Sequence, residues 1–141
     1  MLVGRWDRAL SETQESLRLE PNDVVAQSNL VQNFLALNRL DEGSAAFQQA
    51  HARNLDYPAL RLMMYYLAFL EDDSKEMDRH MEWAAGKPHI EDAFLSAQSD
   101  SEAYYGHLRK AQGFPRRAVE SALHAGANEA AAAWEADDAF A

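Results

Sequence analysis

The feature that most constrains this chain is an internal period. Ala9, Gly43 and Met77 are evenly spaced, and Thr13, Phe47 and Met81 keep the same interval, as do Ser16, Ala50 and Ala84. Leu30 and Met64 repeat it, and so do Pro21 and Leu55. A chain with a period of about 34 residues builds one local unit several times over, and that length suits two helices joined by a turn. The punctuation agrees. Pro21-Asn22-Asp23 ends one helix and caps the next, and Asn38 to Asp41 is a tight break. Asn54 to Pro58 is another break, with Pro58 suited to a first helical turn. Asp72-Asp73-Ser74, Gly86 to Pro88, Asp100-Ser101, Gly113 to Pro115 and Gly126 to Asn128 follow. Between these marks the apolar residues have helical spacing, as in Leu30, Phe34 and Leu37, or Leu60, Met64, Leu67 and Ala68. Alanine is abundant and β-branched residues are few, which favours helix over sheet, and no segment alternates long enough for a strand.

These residues carry a resemblance. Gly4-Arg5-Trp6-Asp7-Arg8-Ala9-Leu10, running on to Leu19-Glu20-Pro21-Asn22, resembles the second helix and closing Pro-Asn of a tetratricopeptide repeat. Asn38-Arg39-Leu40-Asp41-Glu42-Gly43, through Phe47 and Ala50, looks like the same element one repeat later. In that family a small residue sits where the two helices cross. Ala9 and Gly43 fill the slot, and Met77 departs from it. Gly106 and Ala118 fit the family's small slots further on. The interval from Met77 to Ala118 nevertheless exceeds one period by about two helical turns, so residues 88–99 are expected to form an inserted short helix or a bent extension. A narrower likeness lies in the tail. Ser101-Glu102-Ala103-Tyr104-Tyr105-Gly106, through Arg116-Arg117-Ala118-Val119-Glu120-Ser121-Ala122, resembles repeat regions attached to bacterial serine/threonine kinases of the eukaryotic type. No glycine-rich loop, His-Arg-Asp or Asp-Phe-Gly motif occurs, so kinase chemistry is not expected of this chain.

The resemblance implies an all-α fold, with antiparallel helical hairpins stacked in a right-handed superhelix. One domain is expected over 1–141. It comprises a half repeat at 4–21, repeats at 22–55 and 56–87, the insert at 88–99, a repeat at 100–126 and a terminal helix at 127–141. Residues 4–19 read as a second helix lacking its first. Residues 128–141, with Trp134 and Phe140, read as a first helix lacking its second. The chain is therefore expected to be part of a longer array, and dimerisation through 1–19 or 128–141 follows as a further expectation.

Charge narrows the partners. The formal net charge is −10, from 23 acidic and 13 basic side chains. Such a surface repels phosphate backbones and anionic lipid, so protein or peptide is expected and nucleic acid and membrane are not. The chain has no cysteine, which removes disulfides, thiolate metal sites and cysteine catalysis. No apolar run approaches a membrane span and residues 1–8 lack a signal-peptide core, so the default compartment is the cytoplasm.

Catalysis needs acids, bases or nucleophiles that converge. His51, His80, His89, His107 and His124 are scattered. His89 and Asp92 have helical spacing, but two residues read as a surface pair rather than a metal site. Glu71-Asp72-Asp73 sits at a break, where acids cap and solvate. No nucleophile elbow or phosphate loop is present. No enzyme activity and no cofactor are expected. Trp6, Trp83 and Trp134 lie among apolar neighbours and read as core, as do Met63, Met64, Met77 and Met81.

In the tetratricopeptide family, ligand contacts come from first-helix residues on the concave wall. Carried over by the period, these are Ser28, Asn29 and Gln32 on one helix, and Leu62, Met63, Tyr66 and Phe69 on the next. Ala103, His107 and Lys110 would continue the wall. One subgroup clamps a terminal carboxylate with lysine, asparagine and arginine. Asn29 matches the asparagine slot, but Ala59 and Met63 occupy the basic ones, so no such clamp is expected. The implied function is a protein-interaction scaffold that holds an extended or helical peptide. Tyr66 and Phe69 also suit packing against a neighbouring helix, including residues 88–99. The alternatives are a ligand-sensing regulatory domain of a signalling protein and a structural self-association unit.

Overall fold

Asn38, Asn54 and Asp72 adopt left-handed backbone conformations, with φ of 56°, 59° and 58°, and each stands just past the end of a helix. Gly86, Gly106 and Gly126 do the same further along. Asparagine, aspartate and glycine tolerate this conformation best, which is why these residues stop helices. The amide that follows then reaches back to a carbonyl in the last helical turn. Arg39 N–H donates to the Phe34 carbonyl at 2.8 Å, Asp73 to Ala68 at 2.8 Å, and His107 to Glu102 at 2.8 Å. Leu55 to Ala50 and Ala127 to Ala122 repeat the pattern. The punctuation seen in the sequence is thus one device used again and again, the Schellman cap.

The structure, a computed structural model, describes residues 5–138. Those residues form helices and the turns between them, with no strand among them. The helices are α1 (Trp6–Leu19), α2 (Val24–Ala36), α3 (Leu40–Ala52), α4 (Pro58–Leu70) and α5 (Ser74–Ala84). They continue as α6 (Glu91–Tyr104), α7 (Leu108–Ala111), α8 (Gly113–His124) and α9 (Asn128–Asp138). Starts are as legible as stops. Asp23 caps α2 by accepting from the amides of Val25 and Ala26, at 2.9 and 3.1 Å. Pro58 opens α4, where its missing N–H costs nothing. The Asp73 carboxylate accepts from the Glu76 amide at 3.1 Å, in the first turn of α5.

The chain falls into two compact units, and the division lies inside α5, between Met77 and Asp78. In unit 1, α1 packs on α2, α2 packs on α3, and α4 packs on both α2 and α3. Leu10, Val31, Phe34, Phe47, Leu60, Met64 and Leu67 fill the core with Ala46 and Ala50. Gly43 marks a close approach. A Cβ there would meet the Leu35 side chain at 3.2 Å and Phe34 Cβ at 3.5 Å. In unit 2, α8 packs between α6 and α9, and α7 touches both α6 and α8. Phe94 and Leu95 are buried there with Ala97, Ala111, Ala118, Ala122 and Ala131.

The structure departs from three sequence expectations. No short helix is inserted at 88–99. Instead, α6 starts at Glu91 and runs through Asp100-Ser101, where a break and a repeat boundary were expected. Ser101 is buried, and its hydroxyl donates to the Ala97 carbonyl at 2.9 Å, so the helix itself satisfies it. Gly113 to Pro115 does mark a boundary, since α7 ends at Ala111 and α8 begins at Gly113, with the proline tolerated in its first turn. Trp6 is 40% exposed, so it is not core. It is the first residue of α1, a turn before Leu10, the buried residue of that helix. Trp83 and Trp134 are half-buried. Phe140 lies outside the described residues.

Candidate partner-binding surface

Helices α2 and α4 both have 13 residues, and they start and end one period apart. Their burial follows the same interval. Ala26 and Leu60, Val31 and Tyr65, Asn33 and Leu67, and Phe34 and Ala68 are buried at both members of each pair. Val25 and Ala59, and Ala36 and Leu70, are exposed at both. The two helices therefore present the same face to the core, and the stripe opposite is exposed on α2 and half-buried at its centre on α4. That stripe is Val25, Asn29, Gln32 and Ala36 on α2. On α4 it is Ala59, Met63, Tyr66 and Leu70.

The expected contact residues have unequal roles on this surface. Ser28 is buried, and its hydroxyl donates to the Val24 carbonyl at 2.9 Å, so its polar group is spent within its own helix. Asn29 and Gln32 are exposed. Leu62, Met63, Tyr66 and Phe69 are half-buried. Met63 packs against the unit 1 core, which fixes its inner half and leaves the rest at the surface. The Tyr66 ring lies edge-on to Tyr65, with centroids 5.9 Å apart.

His107 and Lys110 belong to unit 2 and do not extend a helix face that includes Ala103. Gly106, at φ 79°, ends α6 before them, and His107 is the residue that precedes α7. Both side chains instead turn to Glu102. His107 Nδ1 lies 2.7 Å from one carboxylate oxygen, and Lys110 Nζ lies 3.8 Å from the other. Gly106 is likewise not a packing slot, since nothing lies within 4 Å of a Cβ built there. It is glycine because of its backbone angle. Spacing alone does not separate these two reasons for a small residue.

Sequence reasoning missed a cleft between α1 and α2. It encloses about 450 Å³ and is lined by Ala9, Glu12, Thr13 and Ser16 from α1, with Asn29 and Asn33 among its α2 residues. Asn33 donates to the Thr13 hydroxyl at 3.1 Å and ties the cleft floor together. The signal for it was already in the period. One period on, the same stripe of α3 reads Gly43, Ala46, Phe47 and Ala50, all of them buried. On α1 the stripe turns polar, and Glu12 and Ser16 are exposed.

Unit 1 holds a largely covered arginine, Arg61, bonded to Asp56 at 2.7 and 3.0 Å, and several exposed pairs. Glu12 holds Arg8 at 2.8 Å. The Arg18 guanidinium, hydrogen-bonded to Glu15, holds that carboxyl below the ordinary glutamate range, and Arg39 does the same for Glu42. In unit 2, His89 is exposed on left-handed backbone, while Asp92 is buried and accepts from Trp134 Nε1 at 2.8 Å. The two do not make the surface pair expected of them. Among the described residues no three His, Asp or Glu side chains gather as metal ligands. No described helix is long and apolar enough to cross a membrane. Comparison with family models, curated proteins and solved structures finds no match to the chain.

Proposed function

We propose that this chain is a helical-repeat interaction module that holds a peptide or protein segment, and that unit 1 is a tetratricopeptide-like stack of hairpins. The observation that carries the reading is the shared burial pattern of α2 and α4. Two packed helices that bury corresponding positions, one period apart, turn corresponding stripes away from the core, exposed on α2 and half-buried at Met63 and Tyr66 on α4. Asn29 and Gln32 supply amides on one helix, and Met63 and Tyr66 supply apolar surface on the next. An amide edge beside an apolar edge suits a segment that needs backbone hydrogen bonds and a few side-chain anchors. The polar α1 cleft adjoins this surface through Asn29. No step of chemistry is part of the proposal.

The test is affinity capture from a source lysate with the intact chain and with a Met63→Asp, Tyr66→Asp variant. Circular dichroism checks that the variant stays helical. Both side chains are half-buried and partly at the surface, so a charge there should abolish an apolar contact and leave the helix standing. A protein retained by the first and lost by the second is the expected result. Equal retention by both would remove the α2/α4 surface from the binding site.

A further inference from the structure

A second surface stands out by its charge. Residues 103–119 contain Arg109, Lys110, Arg116 and Arg117 and not one aspartate or glutamate, in a chain of net charge −10. The fold gathers this stretch into one corner of unit 2, because α7 packs on both α6 and α8. Arg109, Arg116 and Arg117 are exposed, and no carboxylate lies within ion-pair distance of any of them among the described residues. Arg117 lies over the Phe114 ring, 5.5 Å from its centroid, which holds the guanidinium in place without neutralising it.

The same corner exposes apolar and aromatic surface. Tyr104 is 78% exposed, Leu108 61% and Tyr105 41%. The Tyr105 ring lies edge-on to Tyr104 at 5.9 Å and tilts towards His107 at 6.3 Å. Beside them is an open depression of about 420 Å³, lined by residues 106–110. Tyrosine and arginine together are the residue types that most often carry binding energy at protein interfaces.

We propose that this corner is a docking surface for an acidic segment of a partner protein, with an apolar side chain set among its carboxylates. Charge complementarity selects the occupant. Guanidinium groups pair with carboxylates two hydrogen bonds at a time, and the exposed leucine and tyrosines offer the anchor a seat. Glu102 pairs with Lys110 and His107 at the edge of the corner, which leaves Arg109, Arg116 and Arg117 as its uncompensated charges. Their field is felt within roughly 8 Å at physiological ionic strength, so more distant acids do not cancel it. A nucleic acid is the poorer occupant, because its long phosphate backbone would run beyond the corner onto acidic surface. The proposal uses none of the α2 or α4 residues and stands apart from the reading given to them.

The experiment is fluorescence anisotropy on the full chain. The probe is a short labelled peptide of glutamates and aspartates around one Leu-Phe pair. Its controls are the same peptide with Ser-Ser at the centre and an oligouridylate of equal charge. Saturable binding is expected. It should weaken about tenfold in Arg109→Glu, Arg116→Glu and severalfold with the Ser-Ser peptide, and fall with added salt. Met63→Asp, Tyr66→Asp should leave it unchanged, which separates this surface from the one on α2 and α4. The milder Arg109→Gln, Arg116→Gln variant guards against misfolding. No saturable binding, binding indifferent to both arginine variants, or tighter binding of the oligouridylate would each overturn the proposal.

Discussion

The two units bury their interiors by different means. Unit 1 packs large apolar side chains, with Phe34, Phe47, Leu60, Met64 and Leu67 meeting around Val31. Unit 2 buries Phe94 and Leu95, and most of its other core positions are alanine. Polar bonds between distant residues accompany them. Trp134 donates to Asp92 at 2.8 Å, Ser121 to Glu91 at 2.9 Å, and Ser99 to the Ala111 carbonyl at 3.0 Å. The contrast follows from how much each side chain can contribute. A buried leucine or phenylalanine removes enough surface from water to be worth ~1.5–3 kcal/mol, and an alanine far less. Alanine lets helices approach closely but leaves their register loosely specified, whereas a directional hydrogen bond specifies it. Unit 1 is held mainly by area, with Asn33 to Thr13 and Arg53 to the Pro21 carbonyl among its long-range polar bonds. Unit 2 is held by a few large contacts and by bonds that set alignment.

The largest effect should come from Phe94. Its ring is fully buried, 6.0 Å from Trp83. Phe94→Ala should cost ~3–5 kcal/mol, within the range for large core aromatics. Hydrogen exchange should show α6, α8 and α9 losing protection while α2 to α4 keep theirs. Leu60→Ala, at ~2–5 kcal/mol, should show the reverse. If either variant loosened both regions equally, the chain would unfold as one block and the contrast between units would not extend to stability.

Next in size is the bond that joins α9 to α6. Asp92 is buried, its Oδ2 accepts from the Trp134 indole, and its Oδ1 has no hydrogen-bond partner among the described residues. Trp134→Phe keeps an aromatic ring and removes the donor. It should cost ~1–3 kcal/mol, the scale of leaving a buried acceptor without its donor. The double variant Asp92→Leu, Trp134→Phe should recover most of that loss, because two apolar groups leave nothing unpaired. Urea titrations of the four proteins in the cycle measure the coupling. A coupling near zero would mean that alignment in unit 2 rests on the alanine contacts alone.

The same contrast explains what the sequence could reveal. In unit 1, period, polarity and turn chemistry all pointed the same way. Asn38 and Asp72 stop helices one period apart, and Gly43 is small because a neighbouring helix is close. In unit 2 these signals separate. Gly106 is small for its backbone angle, and Ser101 looks like a break but sits inside a helix with its hydroxyl bonded to the preceding turn. Asp92 reads as a surface acid until Trp134, far along the chain, is seen to reach it. Contacts at that separation leave no trace in local pattern. For the candidate site, the exposure of Asn29 and Gln32 and the half-burial of Met63 and Tyr66 at corresponding positions were legible because the period carries a helix face from one repeat to the next. Ser28 was not, because its hydroxyl turns back to its own helix. The corner around Arg109 and Arg116 was readable as charge alone, but its exposure depended on where α6 stops.

The smallest effect concerns pH and sharpens the comparison from the unit 1 side. The Glu15 and Glu42 carboxyls are held below their ordinary range by Arg18 and Arg39. A carboxyl whose folded-state pKa is depressed contributes stability that is present above its unfolded value, and that contribution disappears as pH falls through the folded value. Both pairs are exposed, so water and salt screen them and the contribution is slight. Thermal melts from roughly pH 7 to pH 3 should show a shallow loss of unit 1 stability that begins within the carboxylate range. Arg18→Gln and Arg39→Gln together should flatten that limb, and high salt should do so without any substitution. Phe94→Ala should leave the shape of the limb unchanged, since it acts through packing in the other unit. An acid limb that kept its full slope in the double arginine variant would assign it to carboxyls other than Glu15 and Glu42.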